Sequence, residues 1–176
     1  MKFYDIPGLT NKVSQLVIGT DYFTPEIYDR VSDMLDRYFA LGGNVIDTAY
    51  IYAGGKSELT IGRWMEERAN RDQVVLLTKG AHHDERGPRV NREAILSDLH
   101  ESLERLRTDC VDLYALHRDD PEVPVGEIVE ILHEQVEKGT IRAFGGSNWT
   151  TARLEEANQY AKQHGLTGFR FSSPHL

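Results

Sequence analysis

The chain has 176 residues, enough for one domain with a real hydrophobic core, and 40% of them are hydrophobic. Lys and Arg number 20 against 28 Asp and Glu, a net charge of −8, so no basic face is left over for a phosphate backbone and nucleic-acid binding is excluded as the main activity. A single cysteine, Cys110, rules out an internal disulfide, and no apolar run approaches the roughly 18 residues of a membrane span.

Met1 to Ile6 lacks the apolar segment of a secretory signal, which together with the lone cysteine reads as a cytoplasmic protein with no membrane partner. Phe3–Ile6 followed by Pro7-Gly8 predicts a short N-terminal strand and turn. Strand-like apolar runs then follow at Gln15–Gly19, Asn44–Thr48, Gln73–Thr78, Val111–His117, Thr140–Gly145 and, more weakly, Gly168–Ser172. Between them lie segments of helical period. Thr24 is expected to cap a helix with Pro25 in its first turn and Ile27, Val31, Leu35, Tyr38 and Phe39 on one face. Ser57–Arg68 carries an untidier stripe of Leu59, Ile61, Trp64 and Met65. Asn91 caps a third helix, faced by Ile95, Leu96, Leu99, Leu103 and Leu106. A fourth runs from Val125 to a terminating Gly139, and a weaker fifth carries Leu154, Ala157 and Ala161 before Gly165.

Strand starts near residues 15, 44, 73, 111, 140 and 168 recur at about the spacing of one strand–helix unit, which predicts an α/β protein with a parallel sheet. Two architectures satisfy that pattern. An open doubly wound sheet fits the length, whereas a (β/α)8 barrel typically needs about 250 residues, so only about six of its eight units fit here. The residues at the strand ends favour the barrel.

Both architectures bind ligands at the carboxyl ends of their strands. Reading those ends in order gives Asp47, Lys79, His117 and Ser147-Asn148, with Tyr52 five residues after Asp47. Taken singly, each has a structural explanation: a loop cap, a solvated strand end, a satisfied core histidine, a packed loop aromatic. Together they form a chemical inventory. A phenol can protonate a developing alkoxide if a neighbouring lysine stabilises the phenolate. An aspartate keeps that lysine charged and oriented, and a histidine can hold the carbonyl oxygen by a hydrogen bond. Such a set suits carbonyl reduction with hydride from a nicotinamide cofactor.

At these residues the chain resembles the aldo-keto reductases. The resemblance runs through Gly19-Thr20, Asn44-Val45-Ile46-Asp47-Thr48-Ala49, Tyr52, Gly55-Lys56-Ser57-Glu58 and Leu77-Thr78-Lys79. It continues through Leu113-Tyr114-Ala115-Leu116-His117 and Ile141 to Trp149, covering essentially the whole chain in order. It implies a (β/α)8 TIM-barrel fold behind a short N-terminal hairpin, with residues 1–176 as one partial barrel domain lacking the last two units. It implies an NADPH-dependent reductase of aldehydes or ketones, with NADH the alternative cofactor and a small-molecule carbonyl compound as substrate. Asp47, Tyr52, Lys79 and His117 match the catalytic tetrad, Tyr52 as the acid. Gly19, Thr20, Asp47, Ser147 and Asn148 match cofactor-binding positions, and Ser173 stands where many members carry a glutamine for the nicotinamide carboxamide. The units absent from this chain hold, in the family, the grip on the adenosine 2′-phosphate. An incomplete barrel also leaves an open edge, from which self-association is expected. A truncated, inactive chain acting as a binding or regulatory subunit is the alternative, and an open-sheet, flavodoxin-like binder the third.

Other signals carry less. His82-His83-Asp84-Glu85 has the composition of a metal cluster but sits in a polar loop, and no metal is expected. Gly42-Gly43, Gly54-Gly55 and Gly145-Gly146 lack the spacing of a Rossmann loop, though the last pair is placed for close approach of a cofactor. Trp149 and Arg118 follow strand ends. Each is a candidate pocket residue, against plain packing for Trp149 and a surface salt bridge for Arg118.

Overall fold

The computed structural model describes residues 1–174. A two-stranded antiparallel hairpin opens the chain, β1 (Phe3–Tyr4) pairing with β2 (Val13–Ser14). Six parallel strands follow: β3 (Val17–Gly19), β4 (Val45–Asp47), β5 (Val75–Gly80), β6 (Val111–Leu116), β7 (Ile141–Ser147) and β8 (Phe171–Ser173). Between successive strands lie α1 (Tyr28–Ala40), α2 (Lys56–Arg68), α3 (Arg92–Leu106), α4 (Val125–Lys138) and α5 (Thr151–His164).

Strand order across the sheet is β3-β4-β5-β6-β7-β8, with no reversal. A doubly wound sheet reverses its order at a switch point. Here the right-handed crossovers instead put every helix on one face, and the sheet curls around the other as six units of a (β/α)8-type barrel. Strand alternation divides the core accordingly. Ile46, Leu76, Tyr114 and Phe144 point outward into the helix layer. Val45, Val75, Leu77, Leu113, Ala115 and Ala143 point inward, where Ile6, Leu9 and Val13 of the hairpin region plug the amino-terminal end of the barrel. The same alternation carries Asp47, Lys79, Ser147 and Ser173 onto the inner face at the opposite end. The pairing of Leu116 with Gly146 extends one residue to bring His117 level with Ser147.

Several elements differ from expectation. Thr24 makes no side-chain cap. Extended by the following Pro25, it leads into a 3-10 turn (Pro25–Ile27) closed by Ile27 N–H on its own carbonyl (3.2 Å), so α1 starts only at Tyr28. β3 is shorter than Gln15–Gly19 because the Leu16 carbonyl accepts from Ser14 Oγ (2.7 Å) and Tyr38 Oη (2.7 Å) instead. In α2, Leu59 lies outward at 44% exposure, while Ser57, Glu58 and Thr60 are buried with Ile61, Trp64 and Met65. Its untidy stripe is a polar face turned inward. Asn91 does cap α3, accepting from Ala94 N–H (2.9 Å), and Gly139 ends α4 with φ +76°. Thr150 caps α5 through Arg153 N–H (3.2 Å), a cap absent from the sequence reading.

Candidate active site

Lys79 ends its inward run on β5 with 3% exposure, and its ammonium has three N–H groups to place. It donates to the Asp47 carboxylate, to the Thr48 carbonyl (2.9 Å) and to Tyr52 Oη (3.1 Å). Burying a cation this deeply is tolerable because every donor finds an oxygen. Tyr52 reaches the site from a 3-10 turn (Tyr52–Gly55) in which Ala53, Gly54 and Gly55 take left-handed φ values of 51°, 64° and 85°. Gly55 is required there twice over, because a Cβ would also sit 2.7 Å from the Arg105 guanidinium.

A layer of buried hydroxyls holds Asp47 and its loop from behind. Thr20 Oγ1 donates to the Asp47 carbonyl (2.9 Å), and Ser57 Oγ donates to the Thr20 carbonyl (2.8 Å) while meeting Thr48 Oγ1 at 2.9 Å. Thr20 is wholly buried, so its side chain serves this support. Beneath Lys79, on the helix side, Thr78 Oγ1 donates to the fully buried Glu58 (2.6 Å), whose carboxyl is raised above the usual range by burial. Arg105 ties that layer to the loop that carries Tyr52 through the Tyr50 carbonyl (3.1 Å) and Glu101 (2.6 Å).

His117, 7% exposed, packs edge-on to Tyr52 with ring centroids 5.8 Å apart. Burial first, and the Lys79 charge second, push its pKa down to about 3, so the ring is neutral at physiological pH. Its Nδ1 is buried and has no hydrogen-bond partner among the described residues. On the far side His82 packs edge-on to His117 at 4.8 Å and is itself held below the usual histidine range by burial. His82 was outside the site in the sequence reading; its place three residues after Lys79, on the loop over the strand ends, is the signal that marks it. Among the described residues no His, Cys, Asp and Glu gather as a metal site, His82 and His83 included.

The remaining strand-end groups collect at β7 and β8. Asn148, with φ +61°, donates from its amide side chain to Ser147 Oγ (3.2 Å) and from its backbone N–H to the Ser173 carbonyl (3.2 Å). Ser147 is buried and Ser173 half-buried. Gly19 pairs with Asp47 across β3 and β4, and a Cβ there would meet only open space. At Gly145 a Cβ would strike the Phe171 carbonyl (2.5 Å), and at Gly146 the Trp149 ring (2.7 Å). Trp149 packs against Phe169, 6% exposed. The structure therefore brings the candidates together as two groups, Asp47–Tyr52–Lys79–His117 in contact and Ser147–Asn148–Ser173 beside one another.

Residues 15–174 match the model of the aldo/keto reductase family. Norsolorinic acid reductase B of Aspergillus parasiticus is 33% identical over 180 residues, covering 93% of this chain and 47% of the relative. The aldo-keto reductase YhdN of Bacillus subtilis is 38% identical over 126 residues, covering 70% and 38%. The chain thus spans less than half the length of these curated relatives. A solved structure, the thermostable aldo-keto reductase Tm1743 in complex with the inhibitor epalrestat, superposes with a TM-score of 0.83 at 26% identity, over 100% of this chain and 63% of that one. Among the described residues no helix is long and apolar enough to cross a membrane. With strand order and family model in agreement, the chain belongs to the aldo/keto reductase family.

Proposed function

We propose that these residues reduce the carbonyl of an aldehyde or ketone to an alcohol, with Tyr52 as the acid that protonates the oxygen. The observation that carries the reading is the Lys79 ammonium held between Asp47 and Tyr52 Oη. An ammonium only donates, so the phenol oxygen accepts from Lys79 and keeps its own proton for another partner. When that proton leaves, Lys79 stabilises the phenolate, and Asp47 keeps Lys79 oriented. Neutral His117 offers a ring N–H to the carbonyl oxygen and so fixes which way it points.

The residues at β7 and β8 suit the carboxamide of a nicotinamide, which needs both a donor and an acceptor. Ser147 supplies a hydroxyl, Asn148 an amide and Ser173 a hydroxyl, while Gly19 leaves room beside Asp47. A bound nicotinamide cofactor supplies the hydride. NADPH is the proposed form, with NADH the alternative, and a cytoplasmic setting that keeps the Cys110 thiol reduced belongs to the same proposal.

Replacing Tyr52 by Phe keeps the ring and removes the proton. Turnover of a reactive aromatic aldehyde with NADPH is expected to fall by about a hundredfold or more while the melting curve stays in place. Undiminished turnover in the variant overturns the role given to Tyr52.

A further inference from the structure

Arg118 directly follows His117 where the chain leaves β6, and its Nη1 donates to the His117 carbonyl (3.0 Å). Other arginines around the site are committed to carboxylates. Arg89 grips the fully buried Asp98 (2.7 Å), Arg105 holds Glu101 (2.6 Å), and Arg153 neutralises Asp119, the residue next to Arg118 (3.3 Å). Among the described residues no carboxylate pairs with Arg118. The guanidinium has five N–H groups in a planar fork and spends one of them on the His117 carbonyl. Its charge is felt at both His117 and His82, the two rings that flank the site.

A cavity of about 270 Å³ opens beside it, between the loops that follow β5 and β6. Ala81, Pro88 and Val90 give it an apolar wall, and Arg118 and His83 stand at its polar side. Asp119 also lines it, with Arg153 as counter-charge. Arg89, likewise in the lining, is balanced by Asp98. Arg118 itself is adjacent in the chain to the histidine that faces Tyr52.

We propose that Arg118 selects carbonyl substrates that carry an acidic group: the carboxylate docks on its guanidinium, a ring or short chain packs beside the exposed Pro88, and the carbonyl reaches Tyr52. This rests on the catalytic reading of Tyr52 and His117 given above. A guanidinium fork matches a carboxylate in two parallel hydrogen bonds, which a lysine at the same position reproduces only as a point charge. Neither hydride transfer nor proton transfer is altered by it. Arg118 acts on which molecule is held.

The test separates binding from turnover. Binding of 4-(hydroxymethyl)benzoate and of its methyl ester to the full 176-residue chain is followed by NMR of the His117 ring, for the parent protein and for Arg118→Met and Arg118→Lys. The acid is expected to bind about tenfold more tightly than the ester, the ratio falling close to one in Arg118→Met and to an intermediate value in Arg118→Lys. Equal affinities in the parent, no binding of the acid, or a ratio unchanged in Arg118→Met each overturns the proposal. Turnover of 4-formylbenzoate and its methyl ester with NADPH is measured in parallel. Acid-selective binding without reduction of either aldehyde would sink the reductase reading and keep the Arg118 site; reduction of both without preference would do the reverse.

Discussion

The two ends of the sheet handle buried charge in opposite ways. At the amino-terminal end, the Asp112 carboxylate accepts from Arg71 (2.9 Å) and from the Leu76 backbone N–H (2.9 Å) and forms an ion pair with Arg142 (3.2 Å), and Arg71 also binds the Cys110 carbonyl (2.6 Å). That carboxylate is fully spent on the fold. At the carboxyl end, Lys79 is just as saturated, but its partners include a phenol whose proton is uncommitted. Among the described residues, His117 keeps a buried nitrogen without a partner, and Arg118 has no carboxylate paired with it. Polar groups that close on one another hold a structure together, whereas groups with capacity left over are available to a ligand. The barrel architecture assigns its two ends in the same sense.

Removing a charge from each end puts the contrast to the test. The largest effect is expected from Asp112→Ala, which strands two arginines and a buried N–H and should cost about 3 kcal/mol of stability in chemical denaturation. Its His117 ring signals should stay unchanged. Displaced signals would mean that the two ends are coupled. Lys79→Met should behave inversely, with turnover down about a hundredfold and stability within about 1 kcal/mol, because methionine fills the space and Asp47, a quarter exposed, turns to water. A large loss of stability would instead place Lys79 with the structural charges.

The smallest effect concerns pH. The His117 ring takes up a proton near pH 6.5 in the unfolded chain but only at about 3 in the folded one. The unfolded state therefore binds more protons between those values, and stability is lost as pH falls. Between pH 7 and pH 5 this group should contribute a loss of about 2 kcal/mol, absent in His117→Asn. Parallel pH dependences of the two proteins in urea titrations would show that His117 is not the group responsible.

Much of this was legible in one dimension. Alternation along β4, β5 and β7 places Asp47, Lys79 and Ser147 on the inner face, since a strand sends every second side chain the same way. Helical periodicity located α1, α3 and α4, and Asn91 announced its own cap. α2 misled the eye because Glu58 and Ser57 are polar yet buried: the partners that make this affordable, Thr78, Arg105 and Thr20, come from other elements. Thr24 misled for a local reason, the 3-10 turn that Pro25 starts.

Composition, periodicity and the strand-end residues alone determined a parallel α/β chain, its element order, its six units and the four residues at its candidate centre. Those follow from rules that act along the backbone. Only the tertiary structure decided that Thr20 supports Asp47, that Gly145 and Gly146 yield to Phe171 and Trp149, that His82 packs on His117, and that no carboxylate among the described residues pairs with Arg118. Each depends on which distant side chain arrives beside it, and a contact between residues far apart in sequence has no period to read.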